Sequence, residues 1–242
     1  MSGPRAVYLC EGLVKRREAS GAAFELRVPR LRIHAGEVVV LCGASGCGKS
    51  TLLDLLALAL EPDSAALFRF RAQEGSASDV RLLWQRRDLD ELARLRGLYM
   101  GYVLQTGGLL PFLTARENIA LSCRLLGQDP KARVERLGHR LRIADQLDKL
   151  PRQLSVGERQ RVAIARAMAH RPGVVLADEP TASVDPLNAQ AVLELFLDLV
   201  RQDGITAIIA AHEWPSDSIP GARVLNHRLE RDGSVTRSLF WS

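Results

Sequence analysis

The chain has 242 residues, enough to bury a sizeable core in one large domain or two small ones. Hydrophobic residues make up 47% and charged residues 25%, which excludes wholesale disorder. The formal net charge of +5 permits an anionic ligand or a membrane-surface partner and does not demand a nucleic acid.

Cys10, Cys42, Cys47 and Cys123 form no CxxC pair, so no zinc knuckle or thioredoxin-type centre is expected. Free thiols in a reducing compartment are expected instead. Residues 1–17 lack an apolar core of signal-peptide length and carry Lys15, Arg16 and Arg17. The longest apolar stretch, 52–60, contains Asp54, whereas spanning a bilayer takes about 20 apolar residues. The chain is therefore not expected to cross a membrane by itself.

Residues 24–33 alternate apolar and polar, the period of a half-buried strand, with Pro29 suited to an edge or bulge. Residues 38–42 are continuously apolar and read as a strand buried on both faces. The Leu-rich segment 50–60 reads as a helix, broken by Pro62, Asp63 and Ser64. Leu67, Phe68 and Phe70 suggest a short strand, 73–79 a polar loop, 88–96 a charged helix and 99–104 a strand. Residues 113–170 look mostly helical, and 130–171 hold eleven basic and four acidic residues. That excess reads as solvated helix faces or as a docking surface for acidic partners. Then follow a buried strand over 174–177, an amphipathic helix over 189–200 and an apolar strand over 205–211. There is no internal repeat and no low-complexity tract. Alternating strands and helices predict an α/β class with a mainly parallel sheet covered on both sides. The segment 105–171 is expected as a helical lobe inserted into a core built from 1–104 and 172–242.

Residues Gly43, Ala44, Ser45, Gly46, Cys47, Gly48, Lys49 and Ser50 fit GxxxxGK[ST] between a predicted strand and a predicted helix. The glycines let backbone N–H groups wrap phosphate oxygens, and the helix N-terminus adds partial positive charge. Lys49 can reach the β- and γ-phosphates, and Ser50 can supply a hydroxyl to Mg²⁺, with Thr51 next in the nucleotide-binding run. Cys47 is either a small residue at a variable position or a thiol whose thiolate the same N–H groups would stabilise. The other three cysteines read as structural. Four apolar residues then lead into Asp178 and Glu179. A buried strand delivers Asp178 to a sheet edge, where it could hold Mg²⁺ through water, while Glu179 could orient or deprotonate an attacking water.

Residues 154–167, beginning Leu154-Ser155-Val156-Gly157-Glu158, resemble the signature motif of ATP-binding cassette ATPases. The order of phosphate loop, glutamine (Gln105), signature, acidic pair, D-loop (182–185, ending in Asp185) and histidine (His212) is similar to that family over nearly the whole chain. Residues 92–96, 109–119 and 176–181 resemble the lipoprotein-release and macrolide-efflux group, to which the cell-division ATPase FtsE is close. The resemblance implies a P-loop core with an antiparallel β subdomain and an inserted helical lobe. It implies ATP and Mg²⁺ as cofactors and a head-to-tail homodimer in which Ser155, Val156, Gly157 and Glu158 face the partner's nucleotide. It implies Gln105 and His212 as sensors of Mg²⁺, water and the γ-phosphate. It also implies a separate, permease-like integral membrane subunit, with the ATPase peripheral on the cytoplasmic face of the inner membrane and no nucleic acid bound. Transport or extraction is one role such a subunit serves; control of a periplasmic enzyme or secretion apparatus without cargo is the other.

The chain departs from that pattern at three places. Arg17 stands where the family stacks an aromatic on adenine, with Tyr8 and Phe24 the next residues to consider. A guanidinium can also stack on a base. Val156 replaces the first signature glycine, and a β-branched residue there restricts the backbone and crowds the phosphate. Glu213 follows the histidine where the family has aspartate.

Overall fold

The computed structural model describes residues 5–19, 22–72, 76–212, 221–232 and 235–242. In chain order the elements are β1 (Ala6–Ala19), β2 (Ala22–His34), β3 (Val38–Cys42), α1 (Lys49–Leu56), β4 (Leu67–Phe70), β5 (Ser78–Asp79), α2 (Val80–Gln85), α3 (Leu89–Tyr99), β6 (Met100–Val103), α4 (Ala115–Leu125) and α5 (Lys131–Arg140). After them come α6 (Val156–Met168), β7 (Val174–Asp178), α7 (Pro186–Gln202), β8 (Thr206–Ala211), β9 (Ala222–Val224), β10 (Asn226–Asp232) and β11 (Val235–Trp241). They fall into two compact units, Met1–Arg96 with Ile208–Ser242, and Gly97–Ala207.

In the first unit, six strands form one sheet in the order β10-β11-β2-β1-β4-β5. The β1–β2, β1–β4, β4–β5 and β10–β11 pairs are antiparallel, and β11 joins β2 in parallel. Along β2, Leu31 and Ile33 are buried while Arg30 and Arg32 are exposed, the alternation expected of a sheet with one covered face. Pro29 tolerates this inner position for a local reason. The β11 ladder ends at Arg27, and the β1 register passes over Gly12 and Pro29, so no ladder bond needs the missing N–H. Gly12 sits there in the left-handed region, φ 58.

The buried strand β3 pairs in parallel with β9 and leads into α1. That helix ends at Leu56, short of the apolar pattern. Leu58 takes φ 56, its N–H bonds the Leu55 carbonyl at 3.0 Å, and Ala59 N–H bonds the Asp54 carbonyl at 2.9 Å. These are the paired bonds of a Schellman ending, here with a fully buried leucine in the place glycine usually takes.

The second unit pairs β6 with β7 in parallel, Met100 opposite Val174 through Val103 opposite Ala177. Gly101 lets α6 close on β6, because a Cβ there would lie 2.1 Å from the Ala167 carbonyl oxygen. The helices of 115–168 are as expected, and part of their positive charge is structural. Arg133 is buried and bonds Asp203 at 2.9 Å, with Arg140 on the same carboxylate at 3.1 Å. All four cysteines are free thiols. The structure thus joins parallel strand pairs, an antiparallel sheet and helices in a mixed α/β fold of the expected class.

Candidate functional site

The phosphate loop lies in the first unit, between β3 and α1. Gly46 and Gly48 adopt φ 77 and φ 96, a region where a side chain is strained. At Gly48 space forbids one as well, since a Cβ would lie 2.8 Å from the ring of Phe24. Gly48 is also the N-cap of α1 and offers no side-chain acceptor, so no cap side chain competes for the first-turn N–H groups. Ala44, Ser45 and Gly46 are exposed, as is Ser50, whereas Lys49 and Thr51 are buried. Lys49 Nζ donates to the carbonyls of Gly43 at 2.7 Å and Ala44 at 3.2 Å. Its ammonium is thereby held across the loop by the carbonyls of the loop's first two residues.

Cys47 is not placed as a reactive thiol would be. Its side chain is buried, and its Sγ lies 2.8 Å from where a Cβ on Gly43 would be. Burial raises its pKa above the ordinary thiol value, outweighing the opposing pull of Lys49. The low-pKa thiolate is therefore corrected to a packed, protonated thiol.

His212 is exposed one residue beyond β8, and its carbonyl accepts from Cys42 Sγ at 3.6 Å. The structure thus brings the start of the phosphate loop and the histidine together at adjoining strand ends. Glu213 lies outside the described residues.

Arg17 is exposed near the end of β1, directly opposite Phe24 on β2. Directly opposed residues share a sheet face. Phe24 is half-buried and its ring abuts Gly48, which makes it the aromatic group nearest the loop's N-cap. Tyr8 is ruled out as a base contact: it is fully buried, and its hydroxyl donates to the Leu56 carbonyl at 2.9 Å.

In the second unit, Gln105 and Glu179 each follow a parallel strand by two residues beyond the last paired position, Val103 opposite Ala177. That register aligns them, and Gln105 Nε2 donates to Glu179 Oε2 at 3.2 Å. Asp178 is the last residue of β7 and half-buried. Glu179 adopts φ 44, a strained backbone for a side-chain residue, at the point where β7 turns. Its carbonyl accepts from Ala182 N at 3.1 Å, and the turn continues to Asp185, which caps α7 by accepting from Asn188 N at 3.2 Å.

Ser155 caps α6 in a reciprocal box. Its Oγ accepts from Glu158 N at 3.2 Å, and Glu158 Oε2 accepts from Ser155 N at 2.7 Å. The backbone N–H of Ser155 holds the Glu158 carboxyl below the usual range, with the Ser155 hydroxyl helping. Val156 begins α6 with helical backbone and is 42% exposed, so the anticipated backbone conflict does not arise. Gly157 has room for a Cβ, whose nearest neighbour would be Val184 Cγ1 at 3.8 Å.

Two supporting residues lie inside segments the sequence singles out, 109–119 and 154–167, but no role is assigned to them there. Asn118, fully buried in α4, donates from Nδ2 to the carbonyls of Leu110, Leu113 and Thr114 at 3.0–3.1 Å and accepts from Leu110 N at 2.8 Å. Arg166 of α6 donates to the carbonyls of Gly107 at 2.9 Å and Gly108 at 2.8 Å. The helix that begins at the signature therefore grips the loop that follows Gln105.

Comparison with known proteins agrees with this geometry. The profile of the ABC transporter family matches residues 26–182. The chain is 41% identical over 212 residues to the lipoprotein-releasing system ATP-binding protein LolD of Idiomarina loihiensis, covering 86% of this chain and 89% of that protein. It is 42% identical over 197 residues to the macrolide export ATP-binding/permease protein MacB of Marinobacter nauticus, covering 78% of this chain and 29% of that one. Among solved structures it is similar to the dimeric post-hydrolysis state of the ATP-binding cassette MJ0796 bound to ADP and Pi. That match has a TM-score of 0.69 and 29% identity, and covers 85% of this chain and 88% of that chain. The chain therefore belongs to the ABC transporter family and is a nucleotide-binding, ATP-hydrolysing cassette of the LolD and MacB type.

Proposed function

We propose that this ATPase drives an assembly of the lipoprotein-release type, pairing head to tail with a second copy and docking on a separate, permease-like integral membrane subunit at the cytoplasmic face of the inner membrane. The observation that carries the reading is the identity to LolD along 89% of that protein's length. The dimeric state of the MJ0796 cassette supports pairing. Among the described residues, no helix is long and apolar enough to cross a membrane.

The roles follow the residues. Backbone N–H groups of 43–48 and the Lys49 ammonium bind the phosphates, with Thr51 behind them. Ser155, Val156, Gly157 and Glu158, on the helical segment 105–171, present the α6 N-terminus to the partner copy's nucleotide, and Asp185 lies on the loop between the copies. Glu179 accepts a proton from the attacking water, Gln105 orients Glu179, and His212 contacts the γ-phosphate.

Mg²⁺ is the proposed ion, because it is commonly held by one or two carboxylates plus substrate phosphates; the Ser50 hydroxyl of the first unit, and Asp178 (through water) and Gln105 of the second, are its candidate ligands. When bound, the ion supplies charge neutralisation at the phosphate oxygens.

Purification of the tagged protein from membranes tests the partner. One integral membrane protein should accompany it in stoichiometric amount and stimulate its ATPase activity. Recovery without any integral protein overturns the proposed assembly. A partner with an extracellular enzyme bound and no lipoprotein released on ATP addition favours the cargo-free role.

A further inference from the structure

The C-terminal strands β10 and β11 pack behind the phosphate loop and reach it through two polar side chains. Ser238 of β11 is fully buried, and its Oγ donates to the Cys47 carbonyl at 2.6 Å. His227 of β10 places Nε2 3.1 Å from the same Oγ. The imidazole stacks on Phe240, directly opposite it in the β10–β11 register, with ring centres 4.4 Å apart and planes 29° from parallel. Its Nδ1 lies 3.3 Å from where a Cβ on Gly43 would be, so the ring lies against the first residue of the loop as well.

The chemistry of the chain of bonds sets the proton positions. Ser238 has one hydroxyl hydrogen, and it is spent on the Cys47 carbonyl. The oxygen can then only accept from His227, so Nε2 carries the imidazole proton and Nδ1 presents its lone pair towards Gly43. Burial, with the Lys49 charge adding to it, lowers the His227 pKa and favours this neutral ring.

The carbonyl that Ser238 holds belongs to the peptide joining Cys47 to Gly48. A trans peptide is planar, so its N–H points opposite to its C=O. Pulling the Cys47 oxygen towards β11 therefore aims the Gly48 N–H away from β11. Gly48, with φ 96 and no Cβ, resists neither this orientation nor a rotation out of it. An external bond is needed to fix it.

We propose that His227 and Ser238 are positioning residues for ATP: a relay from the C-terminal strands that locks the Cys47–Gly48 peptide with its N–H facing the phosphates. The relay rests on the reading of residues 43–50 as the ATP phosphate loop, and it adds a determinant of nucleotide affinity 191 residues away from it.

Steady-state ATPase kinetics on the full chain test it through KM, which does not depend on how much of the enzyme is folded. Ser238→Ala should raise the KM for ATP about fivefold, the scale of one lost net hydrogen bond, with kcat within twofold. His227→Leu, which keeps the stacking volume and loses the donor, should raise KM about threefold. His227→Gln, which restores an N–H donor, should return it to within twofold of wild type. If Ser238→Ala does not fold, the His227 pair decides alone. A KM unchanged in His227→Leu, or raised equally in His227→Leu and His227→Gln, overturns the relay and leaves a packing role. Lys49→Ala is run beside them: if it binds ATP as the wild type does, the phosphate-loop reading itself has failed.

Discussion

Gln105 and Glu179, 74 positions apart in the chain, are joined by a 3.2 Å hydrogen bond because the β6–β7 register carries each two residues past its last paired strand position. The amide nitrogen donates to the carboxylate, so it orients the group proposed as the general base. The carboxylate's place is held further by the φ 44 turn at Glu179.

Replacing the base while keeping the bond is therefore possible. Glu179→Gln retains an oxygen that can accept from Gln105, and it removes the proton acceptor. Turnover should fall by about 10²–10⁴-fold, the usual contribution of a general base, while ATP binding persists. Size-exclusion chromatography with ATP should then show a stable dimer. Turnover at the wild-type rate would remove Glu179 from the mechanism. Gln105→Ala should cost less, about tenfold, because it removes only an orienting donor.

Arg166 makes the second long-range connection. Its guanidinium is largely desolvated, which lowers its pKa, and it holds the Gly107 and Gly108 carbonyls. Both glycines adopt left-handed backbone, φ 74 and φ 57, which glycine takes freely, so an outside bond is needed to fix one conformation of the loop after Gln105. Arg166→Met preserves much of the stem's packing and abandons both carbonyls. It should reduce kcat about tenfold with KM within twofold, and destabilise the chain by about 1–3 kcal/mol, the cost of buried groups left unpaired. Denaturant titration beside kinetics separates the two effects. A stability loss with kcat unchanged assigns Arg166 to packing alone.

The segments proposed to carry the chemistry stand out in the sequence because each is short and contiguous. Residues 43–50, 154–158 and 178–179 each sit at the end of a strongly patterned strand or the start of a helix, and periodicity finds those. Strands β1, β10 and β11 are not legible. Arg16, Arg17, Arg228, Arg231 and Arg237 break their apolar alternation, and only the completed sheet gives each a partner strand. Helix α1 stops early because buried Leu58 takes a glycine's backbone, which composition does not signal. Asn118 and Arg166 fall inside segments 109–119 and 154–167, but their roles become legible only once the loop carbonyls they hold are in place. His227 and Ser238 have no local motif at all, because their chemistry exists only against Cys47.

Cys47 gives a chemical check on the loop's packing. Its raised pKa leaves less thiolate at neutral pH than an ordinary thiol has. Its alkylation should therefore be slow and should go on accelerating with pH beyond the usual thiol range. The half-exposed Cys42 should react first. Mass mapping of maleimide adducts over a pH series measures both rates. Rapid labelling of Cys47 at neutral pH, blocked by ATP, would contradict the packing against Gly43.

The base pocket sets the last test. Most nucleotide affinity should come from phosphate contacts, which ATP and GTP share, so the two should differ by about tenfold or less. Arg17 and Phe24 oppose each other on one face of the β1–β2 ladder, and Phe24 alone of the two is shown against the loop. Base–aromatic stacking is worth about 1–3 kcal/mol by alanine substitution, so Phe24→Ala should weaken ATP roughly fivefold or more if its ring faces the base. Arg17→Ala should have a smaller effect, and Arg17→Tyr should tighten ATP by adding a second ring. Inorganic tripolyphosphate, which has no base, separates stacking from damage to the loop. Its affinity should be unchanged in Phe24→Leu, whereas ATP affinity should drop. Equal losses for ATP and tripolyphosphate would mean that Phe24 acts on the loop at Gly48 rather than on adenine.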